Sequence, residues 1–288
     1  MNTTALTAER RSARRRRAWS PRLVSAEFLK LRRRRGLVIA ALALTAVPML
    51  IAYGVLLGQD GSAGGMENFT DSMSVLTLLS VVAAILVGAT LGTGDTGAGV
   101  FRELVVTGRS RVALFAARVP AGLALLLPIV GAAFAITASA ATVFAGSLEV
   151  IGTGPAEAPG HAQTQEVIDY RAPSGILLAQ SAGWLALVAA VSFALALGVS
   201  SLLGSRGTSI GILLGWWLVA TPVLMNLGSL GSVREGLAVV ALDSLAPAAL
   251  FEGDPAVPMS LAAAVAVVLA WAAVPLALGA WRTCTRDA

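Results

Sequence analysis

Few residues in this 288-residue chain could do chemistry, and their scarcity narrows the function at once. The single histidine, His161, sits in the run GTGPAEAPGHAQ, so neither a histidine-based metal cluster nor a Ser-His triad can form within one chain. The single lysine, Lys30, stands between two leucines. That rules out a G-x-x-x-x-G-K-[ST] phosphate loop, so the chain is not itself expected to be a phosphate-loop ATPase. The single cysteine, Cys284, leaves no internal disulfide. No catalytic residue, metal ligand or cofactor-binding residue is therefore expected. What remains is charge at two places, Ser25–Gly36 and Asp95–Arg111, and a group of polar and aromatic side chains inside an apolar run: Trp216, Trp217, Thr221 and Asn226.

These groups need elements to position them, and the composition says which. The chain is 56% apolar and only 13% charged, where soluble domains carry about a quarter charged residues. Six windows lack any Asp, Glu, Lys, Arg or His: 37–57, 73–94, 120–146, 175–203, 209–229 and 259–281. Each has about the 20 residues a helix needs to cross a ~30 Å hydrocarbon core. Backbone amides must be satisfied internally in lipid, so helices are the expected form. The expected fold is an all-α membrane protein of six transmembrane helices, with residues 37–288 as the spanning domain.

Charge asymmetry orients it. With the N-terminus inside, 19 of the 21 Lys and Arg fall on the inner side, leaving only Arg171 and Arg234 outside. Eleven of the 16 acids fall outside. Both termini are expected to be cytoplasmic, in a bacterial cytoplasmic membrane. Residues 1–20, with RRSARRRR, are expected to form a disordered cytoplasmic tail that faces lipid and does not bind nucleic acid. Across residues 21–36, Val24, Phe28 and Leu31 recur at helical spacing, with Glu27 and Lys30 as i,i+3 neighbours off that stripe. This predicts an amphipathic helix flat on the anionic inner leaflet, turning into the first span at Gly36.

The longest inner loop, between spans two and three, has its own apolar positions at Val100 or Phe101, Leu104 and Val105. Thr107-Gly108 would end that helix, and Ser110 would cap the next one, starting at Arg111. On the outer side, residues 147–174 read as mostly irregular. Gly236–Phe251, apolar apart from Asp243, is too short to cross and suits a re-entrant or interfacial helical segment before the last span. Gly88-x-x-x-Gly92 and Gly211-x-x-x-Gly215 permit close helix approach, internally first and between subunits second.

No acid or base lies inside any span, which argues against proton relay and leaves a permease whose energy comes from elsewhere. At this point AEFLKLRRRRG resembles the Glu-x-x-Lys elbow that opens permeases of the type-2 ABC transporter family. DTGAGVFRELVVTGRSRVALFAAR resembles that family's loop after span two. Asp95 stands for its acid, Gly99 and Ser110-Arg111 match, Leu104-Val105 replace a leucine pair, Gly108 replaces a proline, and Arg118 takes the last basic position.

The resemblance implies the permease subunit of an ATP-driven exporter, paired with a second protomer as a homo- or heterodimer. It also implies docking of two copies of a separate ATPase, which would hold the ATP and Mg. The docking loop would then contain Asp95, Gly99, Arg102, Glu103, Leu104, Arg109, Ser110 and Arg111, and the elbow would contain Glu27, Phe28, Lys30 and Leu31. Trp216, Trp217, Thr221 and Asn226 are the candidates for lining the pore, with packing on neighbouring helices as their equal alternative. The exported substrate is not specified by any motif. A secondary transporter would show repeats or broken helices, and an immunity or assembly protein would have no ATP-linked partner.

Overall fold

The computed structural model describes residues 21–58, 64–97, 110–146, 148–152, 165–169, 171–250 and 257–285. Six of its helices are long and apolar enough to cross a membrane. They are α2 (Arg35–Gly58), α3 (Met66–Gly97), α4 (Arg111–Val143), α5 (Gly175–Leu203), the run Arg206–Asn226, and α9 (Leu261–Thr285). A short helix, α1 (Pro21–Arg33), precedes them. The fifth span is composite: α6 (Arg206–Gly215), a π-helical turn (Trp216–Ala220) and α7 (Thr221–Asn226).

Spans two and four form the centre. In their most apolar stretches, 67% of α3 and 72% of α5 is buried, against 22% for the first span, 17% for the fifth and 11% for the sixth. The α3–α5 contact is close because glycines face it. A Cβ on Gly88 would lie 2.7 Å from the Phe193 carbonyl oxygen, and one on Gly92 would overlap the Ser200 hydroxyl. Hydroxyls complete the seam: Ser201 Oγ donates to Leu197 O at 2.7 Å, and Ser200 Oγ lies 3.4 Å from Gly88 O. The same device seats α9, where a Cβ on Gly279 would lie 2.9 Å from the Gly198 carbonyl oxygen. The Gly88–Gly92 pair is thus internal packing. Gly211 and Gly215 differ, being exposed with nothing within 4 Å of a Cβ.

Three expectations need correction. The buried stripe of α1 is Leu23, Glu27 and Leu31, so Glu27 lies on the packed face. The reason is that α1 has two neighbours: Leu23 packs on Ala113, Leu114 and Ala117 of α4, while Leu31 joins the main core. The turn into the first span comes at Arg34, whose amide donates to Leu31 O and whose carbonyl accepts from Leu37 N, each at 2.9 Å. Gly36 is already helical, with open space around it. The outer loop after span three is not wholly irregular, since β1 (Leu148–Gly152) pairs antiparallel with β2 (Gln165–Asp169), Val150 opposite Val167. The β-branched centres of LEVIG and QEVID favour strand over coil.

Before the last span the chain folds as two 3-10 helices, Gly228–Gly236 and Ala248–Leu250, flanking the α-helix α8 (Ala238–Asp243). Gly231, with φ of 48°, makes the kink in the first of these. Ala238, Val240, Ala241 and Leu242 of α8 are all buried.

Candidate transport and coupling sites

The C-terminal end of α3 and the N-terminal end of α4 flank the loop after span two. With 32 and 33 residues they are about 48–50 Å long, against ~30 Å of hydrocarbon core; the excess of α3 lies mostly before its charge-free run, away from the loop, and that of α4 lies at the loop side. Ser110 caps α4 as its spacing predicts. It is extended (φ −70°, ψ 135°), and its Oγ accepts from Ala113 N at 3.1 Å, satisfying one of the amides a helix start leaves open. The next residue, Arg111, donates from Nη1 to the carbonyl of Cys284 in the last turn of α9, at 3.1 Å. Arg118, two turns further on, is buried at 3% exposure. Of the proposed docking residues, Ser110 and Arg111 therefore have a placed geometry. Gly99, Arg102, Glu103, Leu104 and Arg109 lie outside the described residues, and of Asp95 only the backbone, in the last turn of α3, is described.

The elbow residues sit beside this site. Lys30 Nζ is 3.9 Å from Glu27 Oε2, and both line a cleft with Leu31, Arg34, Thr90, Leu91 and Gly94, closing α1 onto the inner end of α3. A Cβ on Gly94 would be 3.3 Å from an Arg34 guanidinium nitrogen, so that glycine makes room for the charge. Phe28 is half-buried against the main core. Leu23 packs on the first turns of α4, and Glu27 faces α3 across the cleft.

Deeper in the molecule, the four candidates of span five do not form one surface. Trp216 packs on Trp271 of α9, ring centroids 5.7 Å apart and tilted 32°. Trp217 packs against the main core, and its Nε1 has no hydrogen-bond partner among the described residues. Thr221 is buried, while Asn226 is exposed at the helix end and donates to Pro222 O at 2.9 Å. The π turn falls on Trp216 and Trp217 themselves, a local rewinding that such turns often mark at functional positions.

Two tryptophans that sequence reading passed over prove central. Trp271 donates from Nε1 to Gly236 O at 2.9 Å, and Trp184 of α5 donates to Leu242 O at 2.8 Å. A buried indole N–H needs an acceptor, and mid-span tryptophans were the available signal. Between those two carbonyls lies α8, ending at Asp243. Burial pushes the Asp243 carboxyl from its ordinary 3.8 up to about 6.

Residues 23–157 match the model of a family described as ABC-2 family transporter protein. The matched stretch runs from α1 through the first three spans and includes the loop between α3 and α4. No curated protein matches the chain.

Proposed function

We propose that this chain, an ABC-2-type permease by the match over residues 23–157, is the membrane-spanning subunit of an ATP-driven exporter that docks a separate ATPase through the loop after span two. The observation that carries the reading is that the match takes in the elbow, both long helices flanking the loop, and the loop itself. The start of α4, which lies about two and a half turns before the charge-free run, packs against Leu23 of α1 and is continuous with span three, is suited to receive a push from outside the bilayer. ATP and Mg would be held by the ATPase, in two copies.

A second protomer completes the path in this reading. The first, fifth and sixth spans leave most of their apolar faces uncovered, and the exposed Gly211-x-x-x-Gly215 pair of span five suits close approach of another helix. The outer segment fits a re-entrant role. Trp271 lies ten residues into α9, about 15 Å along it, and Trp184 nine residues into α5, about 13 Å. If α5 and α9 cross from their first residues, the carbonyls bonded to those two indoles would lie below the outer ends of the spans, which supports that role. Trp216, Trp217 and Thr221 would then border the path next to a segment that closes it from outside, and Asn226 would stand at its mouth.

The test is co-expression of a tagged permease with candidate phosphate-loop ATPases of the same genome, in a bacterial membrane. Copurification of the two, with ATP hydrolysis that depends on the permease, is expected. A permease that purifies intact and never with an ATPase contradicts the reading.

A further inference from the structure

Arg111 occupies the point where the loop after span two becomes span three, one residue past the Ser110 cap. Its guanidinium also reaches a different helix, donating to Cys284 O at 3.1 Å across 173 positions of sequence. The acceptor is chemically apt: the last four carbonyls of a helix lack intrahelical partners and carry the negative end of its dipole. Arginine is permanently charged and presents its donors in a rigid fork, so it suits an anchoring bond at such an end. The sixth span needs an anchor there. Its closest packing on α5 is at Gly198 with Pro275 and Gly279, and it runs a further six residues to Thr285 with little of it buried.

We propose that Arg111 is a positioning residue for coupling: it makes the inner end of span six move together with span three when the loop is displaced. The inference rests on the reading of that loop as the docking site. A displacement arriving at Ser110 enters α4 directly through the chain, and it enters α9 through the guanidinium. Without that bond, the inner end of span six would follow the loop only through its looser packing against α4. A merely structural role differs in its consequences, since losing a helix-end donor would lower stability and leave the motion of α9 intact.

The chain's only cysteine is already at the tie. A spin label on Cys284 paired with one on Ser205→Cys, just past the end of α5, reads the position of span six in the permease–ATPase complex in lipid nanodiscs. Distances are compared without nucleotide and with ATP plus vanadate. In the parent protein the distance should shift on trapping. Read only on complexes isolated through the ATPase, the shift in Arg111→Gln should shrink about twofold or more, and Arg111→Lys should restore it. As a second variant, Arg111→Cys bridged to Cys284 by a short bis-methanethiosulfonate should hydrolyse ATP faster than the same protein left unbridged. An undiminished shift in Arg111→Gln, or equal hydrolysis with and without the bridge, overturns the inference while ATPase binding upholds the docking reading. Loss of ATPase binding by the parent protein overturns both.

Discussion

The indole of Trp184 on span four donates to the main-chain carbonyl of Leu242, 58 positions away, at 2.8 Å. This bond pins the C-terminal half of α8 to the most buried span, and the Trp271–Gly236 bond pins its approach. Trp184→Phe keeps an aromatic ring and removes the donor; Leu242 O retains the Leu245 amide at 3.2 Å, so the loss is that of one hydrogen bond, about 0.5–1.5 kcal/mol. We predict a variant that inserts and folds but exposes the outer segment. Trypsin cleavage at Arg234 in purified, lipid-embedded protein should accelerate severalfold over the parent rate. Unchanged cleavage would show that the bond does not hold the segment.

Asp243 gives a pH dependence with a definite sign. Its folded-state pKa is raised, to about 6, so the folded state holds this proton more tightly than the unfolded chain does. The corresponding stability is fully present below pH 4 and is lost as pH rises through 6. Asp243→Asn removes the cost of burying a charge. Its thermal stability should match the parent near pH 4 and exceed it at pH 8; a parallel offset at every pH would refute the assignment.

The two glycine pairs should respond oppositely. Gly92→Val forces a side chain into the Ser200 hydroxyl and should cost about 1–3 kcal/mol, read as a lower melting temperature in detergent. Gly211→Val enters open space, so monomer stability should hold while the yield of the dimeric species falls. Equal melting of both variants would dissolve the distinction.

How far the sequence alone reached depended on which interaction decided each feature. Spans follow from length and apolarity, both local, so six helices were readable, four of them to within four residues at each end. The other two, α3 and α4, begin seven and nine residues before the charge-free runs 73–94 and 120–146. The Ser110 cap is local too. Glu27 was misplaced because helical spacing reports one apolar stripe, whereas α1 has partners on both α3 and α4, and its position depends on them. Arg111–Cys284 and Trp184–Leu242 link residues far apart in sequence, and no spacing rule encodes them. Strand pairing in the outer loop was missed because five-residue strands separated by a Gly/Pro run carry little periodicity.

Orientation rests on the 19-to-2 division of cations. In a Cys284→Ser background, a cysteine at Gln163, between the two outer strands, should react with an impermeant maleimide on intact cells. Labelling only after lysis would reverse the topology.

The most direct measurement of the central claim is ATPase association with the loop altered. An acid at position 103 is unfavourable beside an anionic leaflet and useful opposite a basic ATPase residue, and Leu104 would fill an apolar groove there. Glu103→Arg and Leu104→Asp should leave membrane insertion and monomer stability unchanged while copurifying ATPase falls at least about tenfold, the loss expected from one or two interface anchors. Permease-dependent hydrolysis should fall with it. Full ATPase association and activity in both variants would contradict the assignment of this loop as the docking site.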